Sequence, residues 1–501
     1  MTGTTEVTRR SFLVSTAAVG GALVLEVALP GLGGPMGRAR AAAEAATLNS
    51  FIRIAPDGAV TMTVGQAEMG QGVYSGFAQI LADELGADWS RVSVVSAMPH
   101  PDHNNPWFGT QMTGGSMSIR AHYDVLRKAA ATAREMLVRA AAQAWGVPPD
   151  GLRTENGFVL DPAQDRRIGF GEIAAAAAAI EPPAEPRLKD PSELTLIGKR
   201  LNRPDLPAKV DGSAIFGVDV TLPGMVFAAV RNAPVKGAPV ASIDRGSIEG
   251  MPGVIDAVEV PGGVAVIADR WWRAKQAAEA LAVTFGPTAQ DGVTTASFMA
   301  GLHALLDAPE AAVAEREGDA AAAIADAATV VEADYEVPLL AHAAMEPMNC
   351  TASVTEDGCE IWAPNQSPAS MAAAAASVTG LDPSRITVHT TFLGGGFGRR
   401  FEPDVAAQAV AASKAVGRPV KLIWTREEDI QHDFYRPAAV ARFRAGLDAD
   451  GKIVGWTTRI VAPSVMKHVF PAAIKDGVDP TTVEGAVELR YAFPARLVES
   501  E

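Results

Sequence analysis

Two glycine-rich stretches carry the most distinctive chemistry in the sequence, Met69-Gly70-Gln71-Gly72 and Gly394-Gly395-Gly396-Phe397-Gly398. Each leads into residues with helical spacing, an arrangement that aims backbone N–H groups at an anion. Glycine fits such a wall because a residue without Cβ lets the chain close on a ligand and take positive φ. The predicted ligand is a large phosphorylated cofactor.

Other motifs fail on inspection. A dinucleotide fingerprint needs glycine at its sixth position, and counting from Gly394 that position is Arg399. Gly198-Lys199-Arg200 lacks the upstream glycine and the hydroxyl residue of a P-loop, and no serine sits in Gly-x-Ser-x-Gly. His100-Pro101-Asp102-His103 offers two imidazoles, a sparse ligand set for a metal. Cys350 and Cys359 are the only cysteines. Two thiols cannot hold an ordinary iron–sulfur cluster, so any electrons leaving this chain need another carrier. Either one disulfide or two buried free thiols is compatible with the pair. Glu356, Asp357 and Glu360 read as a solvated turn, and Trp107 and Phe108 as packing residues of a Pro-rich loop, with a pocket lining as the alternative.

The elements that must position these loops are legible in outline. Phe51 to Val64 alternates around Pro56-Asp57-Gly58 as a hairpin, and Val73 to Leu85 has helical spacing that stops at Gly86. A strand at Val92 to Ser96 precedes Gly114-Gly115-Ser116-Met117-Ser118 and a long helix from Ile119 to Trp145. The Pro-rich stretch Glu181 to Pro191 reads as a linker. Short strands dominate from Pro207 to Pro287 around one helix at Trp271 to Leu281, and the Ala- and acid-rich stretch 288–328 reads as helical or loosely ordered. Beyond Val330 come strands, a helix at Pro368 to Val378, a strand at Ile386 to Thr391 and a helix from Glu402 to Val416. Strands and helices without strict alternation give an α+β fold. The 501 residues exceed a single hydrophobic core and imply two or three domains.

A net charge of −15 argues against nucleic acid and anionic lipid as partners and favours small molecules and proteins. Thr8-Arg9-Arg10-Ser11-Phe12-Leu13, the apolar run to Leu29 and Ala41-Ala42-Ala43 read as a twin-arginine export signal over 1–43, which places the mature chain in the periplasm. The competing reading is an N-terminal anchor, which Glu26 and the following glycines and prolines disfavour.

Three blocks resemble the large subunits of the molybdenum hydroxylases, the xanthine dehydrogenase and aldehyde oxidase superfamily, and in particular its isoquinoline 1-oxidoreductase β-subunit branch. The first block runs from His342-Ala343-Ala344-Met345-Glu346-Pro347 through Trp362-Ala363-Pro364-Asn365-Gln366 to the Gly394–Gly398 loop. The second is Glu68 to Ser75 with Gly115 to Ser118. The third spans Pro207 to Ala214, Leu222 to Met225 and Met251 to Val254, and is similar to the α/β-hammerhead domain of that family. The resemblance implies molybdopterin-binding domains over 47–180 and 330–501, in permuted order, around a hammerhead domain over 196–287.

It further implies a molybdopterin with Mo, in the cytosine dinucleotide form. Gln366 would lie near an oxygen on the metal and Phe397 against the metal's apical side, with Gly396 and Gly398 in the same loop. Gly70, Gln71, Gly72, Ser116 and Ser118 would bond the pterin or its phosphates. Electrons from an N-heteroaromatic or aldehyde substrate, oxidised with oxygen from water, would leave through a small subunit carrying [2Fe–2S] clusters to a membrane or cytochrome acceptor. The branch continues beyond Tyr491-Ala492-Phe493-Pro494 to a Gly-Glu-Pro-Gly-like turn holding its catalytic glutamate. No such turn occurs here, so the resemblance implies a truncated chain without that base, either crippled in turnover or a remnant that binds only pterin or a partner subunit. A positioned base is worth roughly 10²–10⁴-fold in rate. An exported β-rich binding protein without cofactor is the remaining alternative, and it makes both glycine loops coincidental turns.

Overall fold

The computed structural model describes residues 46–501, so the predicted export signal over 1–43 lies outside the described residues. The first sheet has the order β1 (Ala46–Asn49), β2 (Ile52–Ile54), β3 (Val60–Val64), β4 (Val92–Ser96), with only the last pair parallel. Alternation in β2 and β3 puts Ile52, Ile54, Val60, Met62 and Val64 on one buried face. The helix Val73–Leu85 makes the crossover from β3 to β4 and ends, as its spacing predicts, at Gly86 with φ 79°. Phe77, Leu81 and Leu85 from this helix share one core with Leu126 and Leu137 from the helix Ser118–Trp145. Burying each such side chain contributes roughly 1.5–3 kcal/mol. A small sheet of β5 (Arg153–Glu155), β6 (Phe158–Asp161) and β7 (Arg166–Gly169) and the helix Phe170–Ala178 complete this part.

The stretch read as a linker, Glu181 to Pro191, together with the residues that follow it to Ile197, forms a strap pinned to two buried carboxylates. Asp83 accepts the N–H groups of Thr195, Leu196 and Ile197 at 2.7–2.9 Å. Glu84, with no exposed surface, accepts from Lys189 N (2.8 Å) and Arg127 Nε (2.9 Å) and pairs with Arg134. Proline and charge made this stretch look free, whereas its partners sit over a hundred residues earlier in the chain for Asp83 and Glu84 alike.

A seven-stranded sheet joins the next two segments. It comprises β8 (Val226–Asn232), β10 (Val254–Val260), β11 (Gly263–Ala268), β15 (Asn349–Val354), β16 (Cys359–Ala363), β17 (Ile386–Thr390) and β18 (Val420–Ile423). Their order is β10-β11-β8-β18-β15-β16-β17, and β8 pairs in parallel with β18. The segments 196–287 and 330–501 therefore share one sheet. β11 is buried throughout: Val264, Val266 and Ala268 pack under the helix Trp271–Ala280, while Ala265 and Ile267 face a core that includes the helix Asp404–Val416. Burial on both faces explains its unbroken apolar run. β9 (Val240–Asp244) and β12 (Ala282–Phe285) form a separate pair.

The last sheet has the order β13-β21-β20-β19-β14, from β13 (Ala312–Glu317), β14 (Thr329–Val337), β19 (Ala439–Leu447), β20 (Ile453–Val461) and β21 (Arg496–Ser500). The 288–328 stretch thus contributes an edge strand as well as the helices Thr295–Leu306 and Ala320–Ala325. The whole is α+β. Among the described residues no helix is long and apolar enough to cross a membrane.

Candidate functional site

Four loops meet at one end of these sheets. Thr113 N donates to Gln366 O and Gln366 Nε2 to Thr113 O, both at 2.8 Å. Gly398 N donates to Gln366 Oε1 at 3.1 Å, Leu393 N to Glu68 O at 3.2 Å, and Ala67 N to Thr113 Oγ1 at 2.8 Å. A Cβ on Gly396 would lie 2.7 Å from Gln366 Oε1 and 2.8 Å from Met69 Sδ, so glycine is required for this approach. The two glycine-rich stretches and Gly114–Ser118 are thus neighbours.

Gln366 is 4% exposed, and its side chain is largely spent on backbone. One amide hydrogen serves Thr113 and the oxygen holds Gly398, which leaves the second amide hydrogen for a ligand. The loop it braces is rich in unused donors. Among the described residues, the N–H groups of Gly395, Gly396 and Phe397 donate to no protein acceptor.

The other glycine loop behaves differently from the expectation that it presents N–H groups to an anion. Gly70 N (2.8 Å), Gly72 N (3.1 Å) and Tyr74 N (3.1 Å) all donate to the carboxylate of Glu68, which is 1% exposed. The start of the helix Val73–Leu85 therefore already holds an anion of its own, balanced by Arg203 at 3.0 Å. The Gln71 side chain is likewise engaged, by Met69 N and Ala67 O. Gly70 and Gly72 supply the positive φ values of 110° and 83° that the turn demands, rather than donors. Burial and the Glu68 charge push the Tyr74 phenol up to about 12, so it stays neutral.

The open helix start is at Ser118–Trp145. Its capping residue, Met117, has no side-chain cap, and among the described residues the N–H groups of Ser118, Ile119 and Arg120 have no acceptor. The exposed Ser116 and the Ser118 hydroxyl flank it without making hydrogen bonds of their own.

Backbone strain marks the same place. Among the described residues, six that are not glycine have positive φ, and three of these are Asn or Asp, which tolerate it. The others are Ser116 (53°), Ala343 (46°) and Phe397 (57°), all in the converging loops. Each costs of order 1–2 kcal/mol. Phe397 is also 70% exposed and Met345 88% exposed, so the site floor is an open, partly apolar surface.

Beneath the loops lies a charged scaffold that the sequence pattern does not reveal. Glu346 Oε2 holds Gly394 N at 2.8 Å, and its Oε1 holds Asn349 Nδ2 at 2.9 Å. Arg400, fully buried, donates to Gly395 O at 2.7 Å and pairs with Glu346. Arg399 binds Asp404 at 2.8 and 3.0 Å and lies 3.1 Å from Asp433. Burial disfavours the Arg399 charge, but these carboxylates outweigh it and hold its pKa above the ordinary value. The only sequence sign of this scaffold is the pair Arg399-Arg400 following a glycine loop.

Of the residues set aside in the sequence, Phe108 lies against Gly115 and Trp107 under the Arg120 guanidinium, both beside the open helix start. His103 is buried against Phe51, while His100 is exposed, and among the described residues no cluster of three His, Cys, Asp or Glu side chains forms a metal site. Cys350 and Cys359 are buried free thiols, and burial pushes the Cys359 thiol up to about 11. Phe108 stacks on Phe470, and Trp107 is 56% exposed.

Comparison with known proteins matches two family models, both described as molybdopterin cofactor-binding domains, to residues 19–201 and 305–470. The chain is 31% identical to the β subunit of isoquinoline 1-oxidoreductase from Brevundimonas diminuta, over 93% of this chain and 66% of that protein. It is 32% identical to a membrane-bound aldehyde dehydrogenase [pyrroloquinoline-quinone] of Gluconacetobacter polyoxogenes, over 92% of this chain and 62% of that one. It is 28% identical to a nicotinate dehydrogenase chain of Pseudomonas putida, over 86% of this chain and 36% of that one. The chain thus spans less than two thirds of the length of these relatives. With two molybdopterin-binding models matched across most of its length, the chain belongs to the large subunits of the molybdenum hydroxylases.

Proposed function

We propose that this chain is the molybdopterin-binding part of an exported molybdenum hydroxylase that oxidises an N-heteroaromatic or an aldehyde with oxygen from water. The observation that carries this reading is the convergence of unspent donors and strained backbone. The N–H groups of Gly395–Phe397, the uncapped helix start at Ser118 and the residues Ser116, Ala343 and Phe397 all belong to the loops that converge there. Strain of this kind persists where surrounding structure imposes it for a function. The donor set suits a ligand with phosphate and carbonyl oxygens, as a pterin dinucleotide has. The names of two relatives support this substrate class, and the matched domain models favour a pterin over the quinone named for the aldehyde dehydrogenase.

When bound, the cofactor supplies the redox step. The chain's own groups hold and orient it. Gln366 offers one amide hydrogen, and the Gly395–Phe397 backbone offers three donors that never titrate, so they stabilise negative oxygen at any working pH. Ser116, Ser118 and the helix start behind them would hold the phosphate end. Gly396 keeps Gln366 and Met69 in contact with the loop. On this reading the segment 47–180 is the permuted part of the molybdopterin-binding domain, 196–287 a hammerhead domain and 330–501 the first binding domain. Electrons pass to a small [2Fe–2S] subunit and a membrane or cytochrome acceptor. The twin-arginine route delivers the folded, loaded protein to the periplasm.

Expression with its export signal in a bacterium that makes the cytosine dinucleotide cofactor tests this. The expected result is periplasmic protein with about one molybdenum per chain and release of CMP on acid hydrolysis. Cytoplasmic protein refutes export. Protein free of both molybdenum and pterin sinks the proposal as a whole.

A further inference from the structure

We propose that His342 is a cofactor-positioning residue, presenting the bare Nε2 of its ring to the Gly395–Gly398 loop to accept a hydrogen bond from a pterin N–H. This inference rests on the reading of the site as a pterin site. Its geometric basis is the tie between His342 and Asp433. His342 Nδ1 lies 2.9 and 3.0 Å from the two carboxylate oxygens of Asp433, and its backbone N lies 2.5 Å from Oδ2. Asp433 is 9% exposed and also meets the buried Arg399 guanidinium at 3.1 Å. Burial alone would raise the Asp433 carboxyl, but its bonds to His342 and the Arg399 charge reverse that and hold it below the usual range. An ionised carboxylate only accepts, so Nδ1 carries a proton toward Asp433, which leaves Nε2 as the ring nitrogen available to a ligand.

That nitrogen is free and faces the loop. Among the described residues Nε2 makes no hydrogen bond, and it would lie 3.6 Å from a Cβ placed on Gly398, a residue that has none. The loop backbone beside it offers the N–H groups of Gly395, Gly396 and Phe397, while the carbonyls of Gly395, Gly396 and Gly398 are taken by Arg400, Arg399 and Phe401. His342 therefore adds a side-chain acceptor beside these donors, and a pterin ring, which carries both carbonyl oxygen and N–H, uses both kinds of partner. The competing role is purely structural, in which Nδ1 and the main chain tie residue 342 to Asp433 and Nε2 does nothing. His342→Asn separates the two. Its amide can keep a donor toward Asp433 where Nδ1 stood, while the Nε2 acceptor is gone.

The test uses the full chain with 15N-labelled histidine from a host that makes the pterin. Pterin per chain is read by fluorescence of its oxidised form, and ring nitrogens by long-range 1H–15N correlation. The wild-type chain is expected to show His342 protonated at Nδ1, with an Nε2 shift that moves toward the hydrogen-bonded value in pterin-loaded protein. His342→Asn is expected to retain roughly fivefold less pterin at unchanged melting temperature, the scale of one hydrogen bond, while the remote His303→Asn retains wild-type pterin. An Nε2-protonated ring, an Nε2 shift indifferent to loading, or full pterin in His342→Asn overturns the proposal. The wild-type spectrum decides even where the variant fails to fold. A wild-type chain without pterin overturns the function reading itself, and this inference falls with it.

Discussion

Glu68→Gln tests the claim that the first glycine loop is closed by an internal anion. The carboxylate accepts three main-chain N–H groups at 2.8, 3.1 and 3.1 Å and pairs with Arg203 at 3.0 Å, with its own side chain buried. Hydrogen bonds to a charged group contribute about 1.5–3 kcal/mol each. Glutamine keeps one acceptor oxygen but turns an NH₂ toward the remaining N–H donors and removes one of the two carboxylates that Arg203 meets, leaving it Asp205. Losing part of this set costs about 3 kcal/mol, at the lower end of the range for breaking a buried pair. The loss falls on the start of the helix Val73–Leu85, so it is read locally, by hydrogen exchange and mass spectrometry of peptides covering residues 68–85. Where reclosing outpaces exchange, so that the opening equilibrium sets the rate, about 3 kcal/mol is roughly a 150-fold faster rate. Peptides from the helix Pro368–Thr379 should be unaffected and serve as the internal control. A change below threefold in the 68–85 peptides would show that water or another group satisfies these N–H donors, and the loop would count again as an open anion site.

Gly396→Ala puts a methyl 2.7 Å from Gln366 Oε1 and 2.8 Å from Met69 Sδ, an overpacking cost of about 1–3 kcal/mol. Pterin retention should fall at least fivefold with the rest of the fold intact, and wild-type retention would refute the contact. Glu84→Gln unpins the strap, since Arg127, Arg134 and Lys189 N all lean on that carboxylate. Trypsin should then cut after Arg187 and Lys189 at least tenfold faster than in the wild type, and equal rates would show that Asp83 alone holds the strap. Burial, with His100 adding to it, lowers the His103 pKa from 6.5 to about 4. Between those values the unfolded chain binds more protons than the fold, so stability falls as pH drops from 6.5 to 4, by up to about 1.4 kcal/mol per unit. Urea unfolding of His103→Asn at pH 7, 5.5 and 4.5 should show a slope shallower by that amount, and an unchanged slope would contradict a neutral, buried His103.

Much of this was readable from local pattern. The helix Val73–Leu85 and its stop at Gly86 matched residue for residue because periodicity and a left-handed cap are local properties. The proximity of Gln366 to the Gly394–Gly398 loop followed from a strand–helix–strand spacing that the resemblance made interpretable. What stayed hidden depends on distant partners. Nothing near Glu68 distinguishes a carboxylate that folds back on Gly70, Gly72 and Tyr74 from one in solvent. The union of β8 with β18 is a parallel pairing between remote segments, invisible to any window, so a shared sheet read as separate units. β13 was masked by alanine and acid in a stretch whose alternation is too weak to stand out. The tie between His342 and Asp433 likewise joins residues 91 apart.

The two helix starts at the site are therefore not equivalent, and the difference orients the ligand. One is neutralised by Glu68, so a phosphate placed there would meet a buried carboxylate and be repelled. The other, at Ser118, has among the described residues three N–H groups without an acceptor, no side-chain cap and two serine hydroxyls, and it is the end of the site where an anion gains rather than loses. The strained residues divide in the same way: Ser116 stands at that anion end, while Ala343 and Phe397 flank the Gly395–Phe397 donors and the His342 acceptor. A ligand with a charged tail and a polar ring thus has one orientation that satisfies both ends. Reversing it sets the tail against loops that the fold has already closed with its own charge.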